Sequence, residues 1–528
     1  MIVKSPHPDV EIPSVSVAEY VLSSFPERGE KAAMINGDTG ARLTYAELGR
    51  RIRGAAAGLQ RIGVGQGDVV AIFSPNVPDY AVAFHAIALI GAISTTASPL
   101  YTARELNLQL KDSGARLIFT APESLGTVRA ATEGTQIENI VVFGKVDGET
   151  SLDDLVIDGA EPVPAPFDPA EQLAVLPYSS GTTGLPKGVM LTHRNLVANM
   201  RQCSGLTDLD LIVGDDVVLG VLPFFHIYGM LVIMNYSLWA GATVVTMPRF
   251  DLERFLQLIQ EHRVTRVNVV PPILVALGKS PLVDQYDLSS LQTLFSGAAP
   301  LGEELANEVT QRIGCSVLQG YGLTETSPVT HCSSSNPQVR AAVGRPLPNT
   351  EVKVIDCDDG RMLGPGQQGE LYIRGPQVMK GYLNNPEATA EVIDADGWLR
   401  TGDLAYFDEQ GRFFVVDRVK ELIKYNAYQV APAELEGLLL AHPAVADVAV
   451  IPLPDEETGQ IPKACVVKQA EVTGEELMDW LAGQVAPQKR VRRVEFVDAI
   501  PKSASGKILR RQLIEREREL ADAFETLH

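Results

Sequence analysis

Cysteine is scarce in this chain, and the five present, Cys203, Cys315, Cys332, Cys357 and Cys465, are odd in number and far apart. None pair as C-x-x-C, which excludes a disulfide framework and a zinc knuckle. Long hydrophobic runs are also missing. The most apolar window, Ala81 to Ser94, contains His85 and is too short to span a bilayer, so it reads as a buried helix. The first twenty residues mix Lys4, Asp9 and Glu11 with prolines and lack the apolar core of a signal peptide. Glu525-Thr526-Leu527-His528 carries no peroxisomal tripeptide. Positive charge is in deficit: 45 Lys and Arg against 66 Asp and Glu leave a formal net charge of −21. That balance repels polyphosphate at long range and argues against a nucleic-acid binder. An anionic substrate would need locally concentrated Lys, Arg or backbone N–H groups. These absences leave a cytoplasmic enzyme as the expectation.

What is present is an ordinary globular composition, 45% hydrophobic over 528 residues, enough for two or more domains. Short β-branched runs alternate with amphipathic segments, without an internal repeat. Gly67 to Phe73, Ala115 to Thr120, Val264 to Val270, Leu291 to Phe295 and Cys315 to Gln319 read as strands. Pro78 to Ile93, Arg194 to Met200 and Glu303 to Ile313 read as helices. This rhythm predicts an α/β fold with parallel strands. The Gly63-Val-Gly65-Gln-Gly67 cluster precedes a strand instead of following one, so it reads as a turn and not a dinucleotide site. Gly411 to Val416 reads as a strand, followed by a compact stretch with a helix from Pro432 to Leu440, a strand from Val445 to Pro452 and a helix from Ile508 to Leu520. The expectation is a large N-terminal domain of α/β sheets over 1–416, a hinge at 417–420, and a small mobile C-terminal α+β domain over 421–528.

The sharpest chemical signal is Tyr178-Ser179-Ser180-Gly181-Thr182-Thr183-Gly184-Leu185-Pro186-Lys187-Gly188. Such a run offers backbone N–H groups and hydroxyls to an anion, glycines permit close approach, and Lys187 adds a point charge. Between a strand and a helix pattern it reads as a phosphate loop more than as a linker. It is no Walker loop, because Lys187 follows proline and does not enter a helix.

Ser179 to Lys187 resembles the phosphate-loop signature of the adenylate-forming superfamily, which includes acyl-CoA synthetases, peptide-synthetase adenylation domains and firefly luciferases. Further motifs stand in that family's order: Thr44-Tyr45-Ala46-Glu47-Leu48, Pro223 to His226, Ser296-Gly297-Ala298-Ala299-Pro300, Gln319 to Glu325, Thr401-Gly402-Asp403, Asp417-Arg418 and Pro501 to Lys507. Leu222 to Gly229 and Glu421 to Glu436 look most like 4-coumarate/cinnamate–CoA ligases. The resemblance implies two half-reactions. A carboxylate attacks the α-phosphorus of Mg·ATP to give acyl-AMP and pyrophosphate; a thiol, usually CoA, then displaces AMP.

By the same resemblance, Ser179, Ser180, Gly181, Thr182, Thr183 and Lys187 hold the β,γ-phosphates, Thr324 contacts the α-phosphate and Glu325 ligates Mg²⁺. Tyr321 looks like the adenine-stacking ring, with Ala298, Gln319 and Gly320 around it. Asp403 and Arg418 match ribose contacts, Lys420 the hinge position, and Lys424 and Gln429 residues contacting AMP. Lys507 resembles the lysine that reaches the α-phosphate and carboxylate during adenylation. His226, which alone would read as a core histidine, becomes a gate and orienting group in place of a base. Tyr228, Val232, Phe295, Ala298, Gly322, Pro328 and Val329 match an aryl-acid pocket, with Tyr228 able to bond a ring hydroxyl; these side chains would also accept a medium-chain fatty acid. The basic island from Lys489 to Arg511, like Arg249, would meet CoA phosphates or be a solvated face.

One departure stands out. Lys424-Tyr425-Asn426-Ala427-Tyr428-Gln429 carries Asn426 and Ala427 where 4-coumarate–CoA ligases typically have Lys and Gly on the CoA-contacting face. Loading of a carrier protein is therefore a rival to CoA ligation. A binding protein without catalysis is opposed by the presence of Lys187, Glu325, Asp403, Arg418, Lys424 and Lys507 together. Luciferase-like oxidation is the remotest rival, one that light emission would reveal.

Overall fold

The computed structural model describes residues 1–164, 166–179, 186–206, 212–333, 341–426, 428–455, 457–503 and 506–526. Among them, two large sheets and one smaller antiparallel sheet build the N-terminal part. The eight-stranded sheet runs Gly381–Tyr382, Lys187–Thr192, Leu173–Ser179, Ile93–Ala97, Val69–Phe73, Leu117–Thr120, Asn139–Val142, Thr150–Ser151. It is parallel from Leu173–Ser179 onward. The nine-stranded sheet contains Ser316–Gly322, Thr293–Ser296, Arg266–Val269, Val217–Gly220 and Thr243–Thr246 as parallel neighbours. These strands are covered on both faces and so read as continuous apolar runs, the pattern of parallel α/β sheets.

Helix Pro78–Leu89 lies between the two large sheets, touching Val69–Phe73 and Ile93–Ala97 of one and Ala32–Asn36 of the other. Every residue from Tyr80 to Ala88 is buried, and His85 is satisfied by the Ala81 carbonyl and Asn235 at 2.8 Å each. The helix predicted to reach Ile93 stops at Leu89. Gly91 turns the chain at φ +71°, and Ile93 opens a parallel strand. A strand buried on both faces is as apolar as a buried helix, which is why the sequence hides this boundary. Thr44 and Glu47, part of a family motif, form a reciprocal cap on helix Tyr45–Arg61.

The third sheet, Val3–Lys4, Glu351–Ile355, Gly369–Arg374, Leu399–Phe407 and Phe413–Arg418, is antiparallel, and its pairing is not evident from the sequence. Its last strand runs through Asp417 to Arg418, and a short turn, Val419–Glu421, follows. Beyond it Ile423–Tyr425, Tyr428–Val430, Val445–Asp455, Gly459–Lys468 and Arg493–Phe496 form a separate sheet with its own apolar core under helices Pro432–Ala441 and Gly474–Ala482. The final helix begins at Arg510 and not at Ile508, because Ile508 pairs with Lys502 in an antiparallel bridge. The architecture is thus α/β, with a large N-terminal and a smaller C-terminal domain.

Candidate active site

Strands Thr293–Ser296 and Ser316–Gly322 are parallel neighbours, so their carboxyl ends deliver Gly297-Ala298 and Gly320 to Leu323 to one edge. That edge is where α/β sheets place ligands. Small residues are enforced there. A Cβ on Gly320 would lie 2.7 Å from the Phe295 ring, and one on Gly322 would lie 1.9 Å from the Pro328 carbonyl oxygen. Ala298 takes φ +67° and is exposed at this edge. Gly297 is the residue on which the Tyr228 ring rests, since a Cβ there would meet it at 2.9 Å. Gln319 is buried, its backbone N–H donating to Ser333 at 2.7 Å.

Asp403 and Arg418 face each other across two antiparallel strands. Arg418 Nε stands 3.2 Å from one Asp403 oxygen, and the Tyr321 hydroxyl donates to the other at 2.5 Å. Asp403 is only 4% exposed. Burial and the Asp403 charge both hold the Tyr321 phenol far above its ordinary range, so it stays a donor and its ring is fixed.

Lys507 joins this cluster from the C-terminal domain. Burial lowers its ammonium below the usual lysine range and Arg418 adds to the effect, while Glu421, Asp403 and Glu325 oppose it. Its loop rests directly on the N-terminal domain: a Cβ on Gly506 would lie 2.9 Å from Val270 Cγ2. Glu325, next to Thr324 in the short helix Thr324–Thr326, accepts from the Tyr382 hydroxyl at 2.9 Å. Lys187 Nζ lies 4.9 Å from the centre of the Tyr382 ring. Ser179 and Lys187 are paired in register and so bracket the phosphate loop, whose Ser180, Gly181, Thr182 and Thr183 lie outside the described residues.

His226 Nδ1 accepts from the Tyr228 backbone N–H at 3.3 Å, which leaves any proton on Nε2. Burial, reinforced by the Lys507 charge, pulls its value down to about 4. The ring is therefore neutral above that pH, suited to orient an oxygen and unsuited to abstract a proton. The ratio of wild-type to His226→Asn kcat/KM for adenylation should stay constant from about pH 5 to about pH 8. A ratio that changes tenfold about a midpoint near 6.5 would show a titrating base.

Tyr228 opens a π-helical segment, Tyr228–Tyr236, that also carries Val232. With Phe295, Val329, Met200 and Tyr236, Val232 lines an apolar cavity of about 50 Å³. Asn199 braces its wall by bonding both the N–H and carbonyl of Val329, which follows Pro328. At the cavity's polar side are Asn268 and Arg266, the latter paired with buried Asp216 at 2.6 Å. The Tyr228 hydroxyl already donates to the Phe295 carbonyl at 2.9 Å, with Asn268 Oδ1 at 3.3 Å. It holds the pocket wall and has only lone pairs for a ligand. Tyr228→Phe should accordingly lower kcat/KM for hydroxylated and unhydroxylated aryl acids alike, by about tenfold or less. A loss confined to the hydroxylated acid would restore the direct-contact expectation.

The remaining expected residues are not brought into this cluster. Lys424 and Gln429 are exposed cross-strand partners on a hairpin of the C-terminal domain. Asn426 turns that hairpin at φ +46°, a conformation Asn adopts more readily than Lys. Ala427 lies outside the described residues. Lys420 is exposed in the turn between the domains, and Arg249 is exposed after strand Thr243–Thr246. Sequence reading missed Tyr382, Asn199 and Asn268. Asn268 had a signal, as a lone amide in the apolar run Val267 to Val270; Tyr382 had none.

The chain matches the AMP-binding enzyme family over residues 23–383 and the AMP-binding enzyme C-terminal domain over residues 434–507. It is 44% identical to 4-coumarate–CoA ligase 5 of Oryza sativa subsp. japonica over 517 residues, covering 96% of this chain and 95% of that protein. Among solved structures it is similar to the anthranilate CoA ligase AuaEII in complex with anthranoyl-AMP, with TM-score 0.89 and 25% identity over 97% of this chain and 99% of that one. ATP-bound MatB from Rhodopseudomonas palustris gives TM-score 0.86 at 30% identity, over 96% of this chain and 100% of that one. The apo form of the same MatB, at the same identity and coverage, gives 0.76.

Proposed function

The chain belongs to the AMP-binding enzymes, and from that premise we propose an ATP-dependent carboxylic acid–CoA ligase acting on cinnamate-type aryl acids. Acid and ATP give acyl-AMP and pyrophosphate; acyl-AMP and CoA give acyl-CoA and AMP. The observation that carries this reading is the buried Asp403 held between Arg418 at 3.2 Å and the Tyr321 hydroxyl at 2.5 Å, with the Gly506-Lys507 loop resting on Val270 of the same domain. The first step drives a carboxylate onto a phosphoryl group, so fixed positive charge at the reacting oxygens is the main catalytic requirement. Lys507 supplies it. Asp403 accepts from the ribose hydroxyls, Arg418 donates to them, and Tyr321 packs on adenine. Lys187 and the loop from Ser179 to Thr183 take the β,γ-phosphates. Glu325, which shares Tyr382 with Lys187, would offer a hard carboxylate oxygen to a magnesium ion, and that ion would supply positive charge for the phosphates. Neutral His226 orients the acyl carboxylate.

The likeness to ATP-bound over apo MatB supports reading this domain arrangement as the one used for acyl-AMP formation. Lys424 and Gln429, exposed here, would then enter the site when the small domain turns about 417–420 for the thiol step. The five scattered cysteines, four buried and Cys357 exposed, suit a reducing compartment, which supports a cytoplasmic location. Among the described residues no helix is long and apolar enough to cross a membrane.

The test is pyrophosphate release across cinnamates, benzoates and fatty acids of graded length, each with and without CoA. The cavity lined by Phe295, Val329 and Val232 supports an apolar acyl group, and the similarity to a 4-coumarate–CoA ligase supports a planar ring, so 4-coumarate and cinnamate should lead. Decanoate exceeding both tenfold in kcat/KM would replace the aryl-acid reading with a fatty-acid ligase. Acyl-AMP formed without any CoA thioester would instead move the thiol acceptor to a carrier protein, the outcome that Asn426 and Ala427 leave open.

A further inference from the structure

The segment from Val270 to Lys279 touches the C-terminal domain at both ends. At its start Val270 meets Gly506 in the Lys507 loop. At its end Lys279, the last residue of helix Pro271–Lys279, sends its ammonium across the domain boundary. Lys279 Nζ donates to the Leu440 carbonyl at 2.9 Å and to the Val445 carbonyl at 2.8 Å. Both acceptors sit where the C-terminal domain has spare carbonyls. Leu440 is in the final turn of helix Pro432–Ala441, where carbonyls lack intrahelical partners and the dipole favours a cation. Val445 opens strand Val445–Asp455 at a register irregularity against Gly459–Lys468. The lysine is half-buried, and Glu308 on the adjacent helix Glu303–Ile313 partly balances its charge.

We infer that Lys279 is a docking latch: it holds the C-terminal domain where Lys507 reaches the adenylation site, and lets go before thioester formation. The inference rests on the two-step reading above and adds a positioning residue to it. Two charge-assisted bonds made in one domain arrangement and replaced by water in the other bias the equilibrium between them. The lysine touches no substrate; it acts through the place of Lys507. Its removal should therefore split the two half-reactions.

Lys279→Met keeps the stem and removes the donors; Lys279→Gln is the second neutral variant, and Lys279→Arg keeps the charge. In the full-length enzyme, acyl-AMP formation is measured in a single turnover, and thioester formation from synthetic acyl-AMP and CoA separately, with Lys507→Ala as reference. The neutral variants should slow acyl-AMP formation about tenfold. They should leave thioester formation unchanged or slightly faster, with the thermal midpoint near wild type, and Lys279→Arg should recover most of the first step. Adenylation within twofold of wild type in a folded neutral variant, with Lys507→Ala still slow, overturns the latch and leaves the functional reading standing. Equal loss in both half-reactions overturns it too, by showing a merely structural lysine. If Lys507→Ala itself spares adenylation, the reading fails and the latch falls with it.

Discussion

Lys507→Ala is expected to slow acyl-AMP formation by roughly 10²-fold or more, the usual cost of deleting a fixed charge at a developing anion. The expectation follows from where the lysine lies. It lies half-buried on a loop that rests on the N-terminal domain, and burial already lowers its ammonium, with Arg418 adding to the effect and Asp403 and Glu325 opposing it. Charge in such a place is worth more than on the surface, because little solvent reorganises to screen it. Conversion of preformed acyl-AMP to thioester should be much less affected. Lys424→Ala should behave in the opposite way, since Lys424 stands exposed on its hairpin in this arrangement. Stopped-time assays of each half-reaction decide the matter. Equal losses in both halves for both variants would sink the idea that one small domain presents two faces in turn.

The second large effect should come from Asp403→Ala. The carboxylate is nearly buried and serves two partners, Arg418 at 3.2 Å and the Tyr321 hydroxyl at 2.5 Å. Deleting it strands a half-buried guanidinium and frees the Tyr321 ring, which is proposed to pack on adenine. Breaking a buried pair from one side costs about 3–5 kcal/mol; Arg418 is 30% exposed, so solvent recovers part of that. A rise of about 10²-fold in the dissociation constant for ATP is the expected result. Asp403→Asn, which still accepts from Tyr321, should fall between. Calorimetric titration with ATP checks both variants; a dissociation constant for Asp403→Ala within threefold of wild type would remove Asp403 from the nucleotide site.

Much of this site could be read from the chain, and the reason differs from residue to residue. The phosphate loop, Asp403, Arg418 and Lys507 sit in short, distinctive motifs. Helix Glu303–Ile313 has the predicted bounds because Gly314, in a left-handed conformation, ends it sharply. Helix Pro78–Leu89 falls short of its predicted end because nothing apolar distinguishes that end from the strand beyond. What no local pattern reveals is register. Asp403 and Arg418 become partners only through antiparallel pairing of two strands. Tyr382 reaches Glu325, and Tyr228 reaches the Phe295 carbonyl, across long stretches of chain. Those contacts change the chemistry: Tyr228, expected to bond a substrate hydroxyl, spends its proton on the pocket wall. Lys279 lies at an ordinary amphipathic helix end, and only docking of the second domain gives it partners.

The most direct measurement is a single turnover with 4-coumarate and Mg·ATP, quenched at intervals and followed by chasing with CoA. Before CoA is added, 4-coumaroyl-AMP and pyrophosphate should accumulate in equal amounts, stoichiometric with enzyme. After the chase that acyl-AMP should disappear as 4-coumaroyl-CoA and AMP appear in the same amount. Pyrophosphate release that waits for CoA, or ADP and phosphate in place of AMP and pyrophosphate, would contradict adenylation as the first step.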